Sequence, residues 1–419
     1  MPLIQTTILN LSLFIARRIT GSRKASFSRF IINLATVATA LSVAIMIVAA
    51  AVVLGFKDTI KDKLFVFWGE VQVASYNPDP TNIVTPEPFT YSASLQKQIQ
   101  SVPEVAAVYP FVVKPAILNT GKLLQGVKLK GVDSQYLWQG NAAISYQGAK
   151  PNFADSSYAH DIVPSTSLLQ KLQLCIGDTL LVCFVSADEA YPRFRKLRIS
   201  GSYHTGMEEI DNNFCLCDMR LLQRVNNWKP DDINGYQVAL RNGAHADSVA
   251  NHIYRRYLEP PMNRSTLQEL YPNIINWLEL MNTNAYIILA IMAVVAIVNL
   301  STALLIFIME RTNMVGTLKT LGMSNAALGD IFLYHAVRVA FKGIVLGTAL
   351  GVGFCLLQQY THFVKLDESA YYMAYAPIKL IGWHVLLIDA GTLLCCMVFM
   401  LLPVLMVRGI SIVHALRFK

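Results

Sequence analysis

Glu310-Arg-Thr-Asn-Met-Val-Gly-Thr-Leu-Lys-Thr-Leu-Gly-Met-Ser324 follows directly on an apolar run from about Asn284 to Met309. The Glu310–Arg311 pair ends a segment long enough to cross a bilayer, since about 20 apolar residues span the hydrocarbon core. Met314, Val315, Leu318 and Leu321 then recur at helical spacing. Gly322 can take the left-handed conformation that closes a helix, and Ser324 can cap the next one. The stretch predicts a short amphipathic helix between two membrane spans. Its apolar face must bury against something, either the membrane surface or a groove in a soluble partner.

Working outward, three more apolar runs are long enough to cross: about 30–55, about 340–361 and about 384–407, the last with Asp389 inside it. Composition agrees. Hydrophobic residues make up 54% of 419 and charged residues 15%, with mean hydropathy +0.41. A soluble domain carries about 25% charge. Disorder needs low hydrophobicity, so an integral membrane protein remains. The net charge of +8 does not mark a nucleic-acid surface. The basic excess sits in Arg17, Arg18, Arg23, Lys24 and Arg29 and around the later spans, while residues 57–283 are almost neutral. That distribution is a topology signal. It predicts N-in/C-in orientation and places 56–283 outside. The first run has a basic approach and Ala49-Ala50-Ala51, as a cleaved signal would, but its length favours a retained span.

The boundaries read as follows: a cytoplasmic N-terminal segment 1–29, with an amphipathic helix at 4–18; a first span 30–55; a large domain 56–283; a second span 284–309; the helix and its turn 310–330; spans three and four within 331–407, joined by a short outer loop; and a cytoplasmic tail 408–419. Alternation predicts strands at 71–74, 105–113, 127–130, 179–185, 196–203 and 236–240. Helical patterns lie near 92–101, 164–173, 218–227 and 244–258, and 77–88 and 259–263 read as loops. The fold class is a four-helix integral membrane protein carrying an α+β domain between its first two spans.

The sequence lacks a Walker A loop, a nucleophile elbow, H-E-x-x-H and a dinucleotide fingerprint. No metal site, cofactor or catalytic residue is expected on this chain, and any energy source belongs to a partner. Cys183 could bridge to Cys215 or Cys217 on facing strands, or all could stay free thiols. Asp389 is an intramembrane acid and so a functional candidate, although water or headgroups near the membrane surface could satisfy it. Gly343, Gly347 and Gly351 line one face of span three and predict close helix packing.

The stretch 310–324 resembles the coupling helix of the FtsX/MacB-type permeases of ABC transporters, and the order of one span, large domain and three spans resembles that family over the whole chain. Gly409–Arg417 is similar to the family's C-terminal stretch, with His414 where its proline usually stands. Phe14–Arg18, Phe30, Gly55–Phe56 and above all Lys196–Asp211 resemble the lipoprotein-releasing LolC/LolE subgroup. The subgroup's glycines in span one are replaced by Val37-Ala38-Thr39-Ala40-Leu41-Ser42-Val43.

The resemblance implies a MacB-like periplasmic domain and a bacterial inner-membrane location. It implies a cytoplasmic ABC ATPase dimer that binds ATP and Mg, and a second permease copy or paralogue. Glu310, Arg311, Met314, Val315, Gly316, Leu318, Lys319, Leu321, Gly322 and Met323 would couple to that ATPase. A lipoprotein cargo would gain access between spans one and two, near Val53, Phe56, Asn282 and Tyr286. Extraction costs about 0.8 kcal/mol per acyl CH₂, so an apolar periplasmic carrier must receive the chains. Tyr191, Pro192 and Phe194 would recruit it, unless they form an ordinary hairpin loop. The alternatives are mechanotransmission for efflux or cell-wall hydrolase activation, and a membrane-anchored receptor with no ATPase.

Overall fold

The computed structural model describes residues 26–76, 87–136, 144–154, 158–184, 191–241 and 243–406. The expected helix at 4–18, most of the loop at 77–88 and the tail at 408–419 lie outside them. Among the described residues, four helices are long and apolar enough to cross a membrane: Phe30–Trp68, Pro272–Glu310, Asn325–Thr361 and Gly382–Leu405.

The first two helices outrun the apolar segments that mark them. The first continues from 55 to Trp68 because Ile60, Leu64 and Phe67 recur at helical spacing and are fully buried. It stops at Gly69, whose positive φ closes the turn. The second starts at Pro272, a residue suited to the first helical turn, and buries Ile274, Ile275 and Leu278 before its apolar run begins.

The chain divides into two compact units. The first comprises residues up to Phe56, Glu279–Val364 and Ala376 onward; the second comprises Lys57–Leu278 together with Lys365–Tyr375. The last segment lies in the loop between spans three and four.

In the first unit, one core gathers Leu300, Leu304 and Phe307 with Leu328, Phe332 and Ala336 and with Cys396 and Met400. A second joins Val43, Met46 and Ile47 to Ile344, with Leu289 and Met292 packed against it.

The second unit holds β1 (Val71–Ser75), β2 (Phe89–Thr90), β3 (Val105–Asn119), β4 (Leu124–Val132), β5 (Ser145–Gly148), β6 (Asp161–Pro164) and β7 (Thr179–Phe184). It continues with β8 (Arg193–Ile199), β9 (Gly201–His204), β10 (Phe214–Asp218), β11 (Asp232–Ile233), β12 (Gly235–Leu240) and β13 (Met262–Thr266). Nine strands run in the order β13-β1-β12-β3-β4-β10-β6-β8-β7, and β7 pairs back onto β3. The last six strands of that order therefore close into a small barrel. β3 serves both parts: residues 105–111 pair with β12 and residues 112–119 with β4. Helices at Ala93–Gln100, Thr166–Leu172 and Met219–Val225 begin at Ser92, Ser165 and Asp218, whose side chains accept from the first turn.

Two expectations change. The strand read as 196–203 breaks at Ser200, where the chain changes partners: β8 pairs with β6 and β7, and from Gly201 the chain pairs with β5, so near it that a Cβ on Gly201 would lie 2.6 Å from Gln147 O. The loop read at 259–263 already contains the start of β13, where Met262 pairs with Ser75.

Candidate functional site

Within residues 310–324 the chain folds as a helix at Thr312–Thr320, set off from the preceding span at Arg311. Its end is a Schellman closure: Gly322 has φ +90°, Gly322 N donates to Lys319 O at 3.0 Å and Met323 N donates to Leu318 O at 3.0 Å. Ser324 Oγ then accepts from Ala327 N at 3.2 Å and starts the third long helix. Arg311 lies over the Phe307 ring, 5.9 Å from its centroid, and His335 stacks on that ring at 4.3 Å between centroids.

The apolar stripe is used differently from the expectation that a partner or the membrane surface covers it. Val315 is fully buried in the core of this chain's own second, third and fourth helices, and Met314, Leu318 and Met323 pack half-buried against the same core. Gly316 is buried beside Val315. Leu321 alone of the stripe is free of that core, at 78% exposure. The helix is thus anchored by its own spans, and its outward face consists of Glu310, Asn313, Thr317, Thr320, Leu321 and Gly322, with Lys319 half-buried at the edge. The result is a fixed, mainly polar ridge with one protruding leucine.

Gly343, Gly347 and Gly351 face span one. Added Cβ atoms would stand 2.8 Å from Thr39 Cβ, 2.5 Å from Ala40 O and 3.1 Å from Ala44 Cα. The alanine-rich sequence of span one is the other half of this close packing. Asp389 accepts from Thr348 Oγ1 at 2.9 Å, so its partner is a neighbouring span.

The four proposed access residues do not form one open face. Tyr286 is 71% exposed, Val53 and Asn282 are half-buried, and Phe56 is buried at 5%. Phe56 is a packing residue rather than a lining residue. Tyr191, Pro192 and Phe194 are all exposed at the start of β8, and residues 185–190 of their hairpin lie outside the described residues. Cys183, Cys215 and Cys217 are free thiols. Their strands, β7 and β10, do not face each other as a pair, since β6 and β8 stand between them in the barrel. Among the described residues, no cluster of three or more His, Cys, Asp or Glu side chains could hold a metal ion.

The stretch Lys196–Asp211 carries more than a family mark. The buried Asp211 carboxylate accepts from Thr205 N and Oγ1 and from Gly206 N, at 2.8–3.2 Å, and Gly206 has φ +72°. His204 Nδ1 lies 3.2 Å from Asp211 Oδ2. The Asp211 contact, assisted by Glu368 and opposed by partial burial, pushes the His204 pKa up to about 9. Sequence reading missed His204, Glu209 and their partners in 365–375, because more than 160 residues separate them and no local pattern joins them.

Lys130 was also missed. It is completely buried, donates to Phe67 O and to Gln237 Oε1 (2.7 Å), and lies 4.5–4.6 Å from the Trp68 and Phe67 ring centroids. Burial holds its pKa well below the usual lysine value.

Residues 34–255, more than half of the chain, match the MacB-like periplasmic core domain family, and residues 286–412 match the FtsX-like permease C-terminal family. The lipoprotein-releasing system transmembrane protein LolE of Haemophilus influenzae is 23% identical over 414 residues, covering 91% of this chain and 93% of that protein. The lipoprotein-releasing system transmembrane protein LolC of Xylella fastidiosa is 22% identical over 417 residues, covering 96% and 97%. Among solved structures, the periplasmic region of MacB from Actinobacillus actinomycetemcomitans is similar at 13% identity with a TM-score of 0.34, covering 49% of this chain and 92% of that one.

Proposed function

Because the chain belongs to the FtsX-like permease family with a MacB-like periplasmic core domain, we propose that it is the membrane subunit of an ATP-driven transporter that releases lipoproteins from the inner membrane. The N- and C-termini lie in the cytoplasm and the large domain in the periplasm. A separate ABC ATPase dimer binds ATP and Mg and docks on the ridge at 310–322. A second permease, either a copy or a paralogue, completes the complex.

The observation that carries this reading is the anchoring of the 312–320 helix. Val315 fixes it to the core of three spans while Leu321 and the polar residues face outward. A push on the ridge moves the spans with it. The helices Ser26–Trp68 and Pro272–Glu310 are each continuous from their apolar segment into the second unit, so displacement passes along a helix rather than through a flexible linker. Cargo acyl chains then leave the outer leaflet between spans one and two, and an apolar carrier receives them.

The lipoprotein cargo rests on the relatives' names and on Lys196–Asp211. The MacB-like domain alone would equally serve mechanotransmission for efflux or hydrolase activation.

The test is copurification of an ATPase with the detergent-solubilised chain, comparing wild type with Leu321→Glu. Leu321 touches none of the chain's own core, so the variant keeps its fold. Loss of the ATPase only in the variant supports the docking ridge; no ATPase with the wild type refutes the transporter reading. Substitutions at Met314 or Leu318 would damage the chain's own packing and would not separate the two. Release of a lipidated cargo from proteoliposomes containing the complex then decides between lipoprotein release and the efflux or hydrolase alternatives.

A further inference from the structure

Between the third and fourth long helices the chain makes a closed hairpin. Ala376 N donates to Val364 O at 3.1 Å, Leu366 N donates to Ala374 O at 3.0 Å, and Lys365 bridges Tyr375. The base is fastened to the end of the third helix by Gln358, whose buried amide donates to Val364 O and Ala376 O and accepts from Val364 N. Val364 and Ala376 cannot part from that helix without breaking these bonds.

The tip of the hairpin meets four elements of the second unit. Glu368 Oε1 is 2.8 Å from His204 Nε2. Tyr372 OH donates to Glu209 Oε1 at 2.8 Å. Lys63, on the first long helix, donates to Tyr372 O at 2.6 Å. Trp277, on the second, meets the Tyr372 ring edge-on with centroids 6.0 Å apart. Tyr372 is held at φ +60°, which costs a non-glycine residue free energy and persists where surrounding contacts fix it. Gly206 leaves the room Glu368 needs, since a Cβ there would lie 2.5 Å from Glu368 Oε1. No residue of 365–375 is part of the domain's hydrophobic core cluster. Met373 is buried and Tyr372 meets Trp277, but the named hydrogen bonds and the ion pair are polar and lie outside that cluster, which is the pattern of a tie added to the core.

We infer that Lys365–Tyr375 is a strap that ties the third and fourth helices to the large domain through Glu368–His204 and Tyr372–Glu209, and that it carries part of the stroke that drives this domain. The inference rests on the permease reading. The first two helices reach the domain by continuous backbone, and the strap joins the other two to it by backbone at both of its ends. Its residues are positioning residues: none is assigned to touch cargo.

The experiment uses the full chain with its ATPase in lipid nanodiscs, comparing wild type, Glu368→Gln, Tyr372→Phe and their double variant. Gly206→Ala serves as a second variant that crowds Glu368 and Tyr372 O from the domain's side, with no substitution in the strap itself. Hydrogen exchange in 365–375 is expected to quicken about fivefold in each single variant, the size of one lost hydrogen bond. ATP hydrolysis should stay near the wild-type rate. Lipidated cargo released per ATP should fall about fivefold or more in the double variant and in Gly206→Ala, in the range of an ordinary coupling energy. Faster exchange with unchanged release per ATP would make the strap a passive tie and overturn the inference. Unchanged exchange would overturn it as well, by showing that these contacts do not hold the strap. A wild-type complex that hydrolyses ATP and releases no lipidated cargo would instead refute the lipoprotein reading, and is recognised before any variant is compared.

Discussion

Gly347 of the third long helix lies so close to Ala40 of the first that a Cβ on residue 347 would stand 2.5 Å from the Ala40 carbonyl oxygen. The contact is backbone on one side, so no side chain can rotate away to relieve it. Gly347→Ala must separate the two helices. It should destabilise the chain by about 1–3 kcal/mol, the usual cost of overpacking a tight contact. Gly353 sits on the same helix with no atom within 4 Å of its would-be Cβ. Gly353→Ala should be neutral, or stabilising by up to about 1 kcal/mol through helix propensity. Thermal exposure of the buried Cys355 thiol to a thiol-reactive dye reads both. Equal midpoints for the two variants would refute the close-packing account.

Lys130 puts its amino group at the last turn of the Ser26–Trp68 helix, where carbonyl groups lack helical partners. Lys130→Met keeps most of the volume but leaves Phe67 O and Gln237 Oε1 without this donor. A net loss of about 1–2 kcal/mol is expected, since each unsatisfied acceptor costs about 1–3 kcal/mol and relief of a dry cation offsets part of it. The pH dependence distinguishes the two effects. Burial lowers the folded pKa below 10.5, so the unfolded chain binds more protons in between. The penalty for holding the cation dry is absent above 10.5 and grows as pH falls towards the folded value. The stability gap between wild type and Lys130→Met should therefore widen from neutral to alkaline pH in thermal unfolding of the solubilised chain. A gap independent of pH would mean that Lys130 is not desolvated in solution.

How much of this was legible follows the range of the interactions. Gly322 and Ser324 were readable because helix closure and capping are local chemistry, and both act as read. β1 and β12 were readable from their alternation or their β-rich composition. β6 and β10 were not, because each of their residues is buried and no two-residue period survives. The barrel needs β7 to return to β3, a pairing between distant segments that leaves no local trace. The small face of span three was legible as packing, and its partner was not, because alanine and threonine on span one look like ordinary apolar filling. The stripe at 314–321 had the right period and an open destination; only the structure assigns most of it to the chain's own core.

His204 gives a prediction of opposite sign to Lys130. Its pKa is raised from 6.5 to about 9, chiefly by Asp211 and then by Glu368, with Lys63 the nearby cation on the first long helix. A raised histidine pKa contributes stability that is fully present below 6.5 and is lost as pH rises through about 9. The side chain is 35% exposed, so solvent screening reduces the contribution to about 1 kcal/mol. His204→Gln should lower the unfolding midpoint most at about pH 6 and scarcely at all at about pH 10. A difference that grows with pH would contradict the ion pair.

Gln358 is 1% exposed near the end of the third long helix and serves Val364 N, Val364 O and Ala376 O with one side chain. Gln358→Leu has similar bulk and no polar atom. Val364 O still accepts from Ala376 N, so two backbone groups lose their only described partner in this hairpin base. Left buried, each would cost about 1–3 kcal/mol. The cheaper response is local: the base opens and water satisfies both groups, leaving the spans intact. Gln358→Glu restores the acceptor for Val364 N and cannot donate to the carbonyls, so it should behave as an intermediate at best. Lys365 and Lys379 flank the hairpin and report its opening to trypsin added to proteoliposomes. Cleavage at these lysines should be faster in Gln358→Leu than in wild type, while the buried Cys355 keeps its thermal midpoint. Unchanged cleavage would show that the hairpin base holds without Gln358, and that the third helix is not fastened to it in this way.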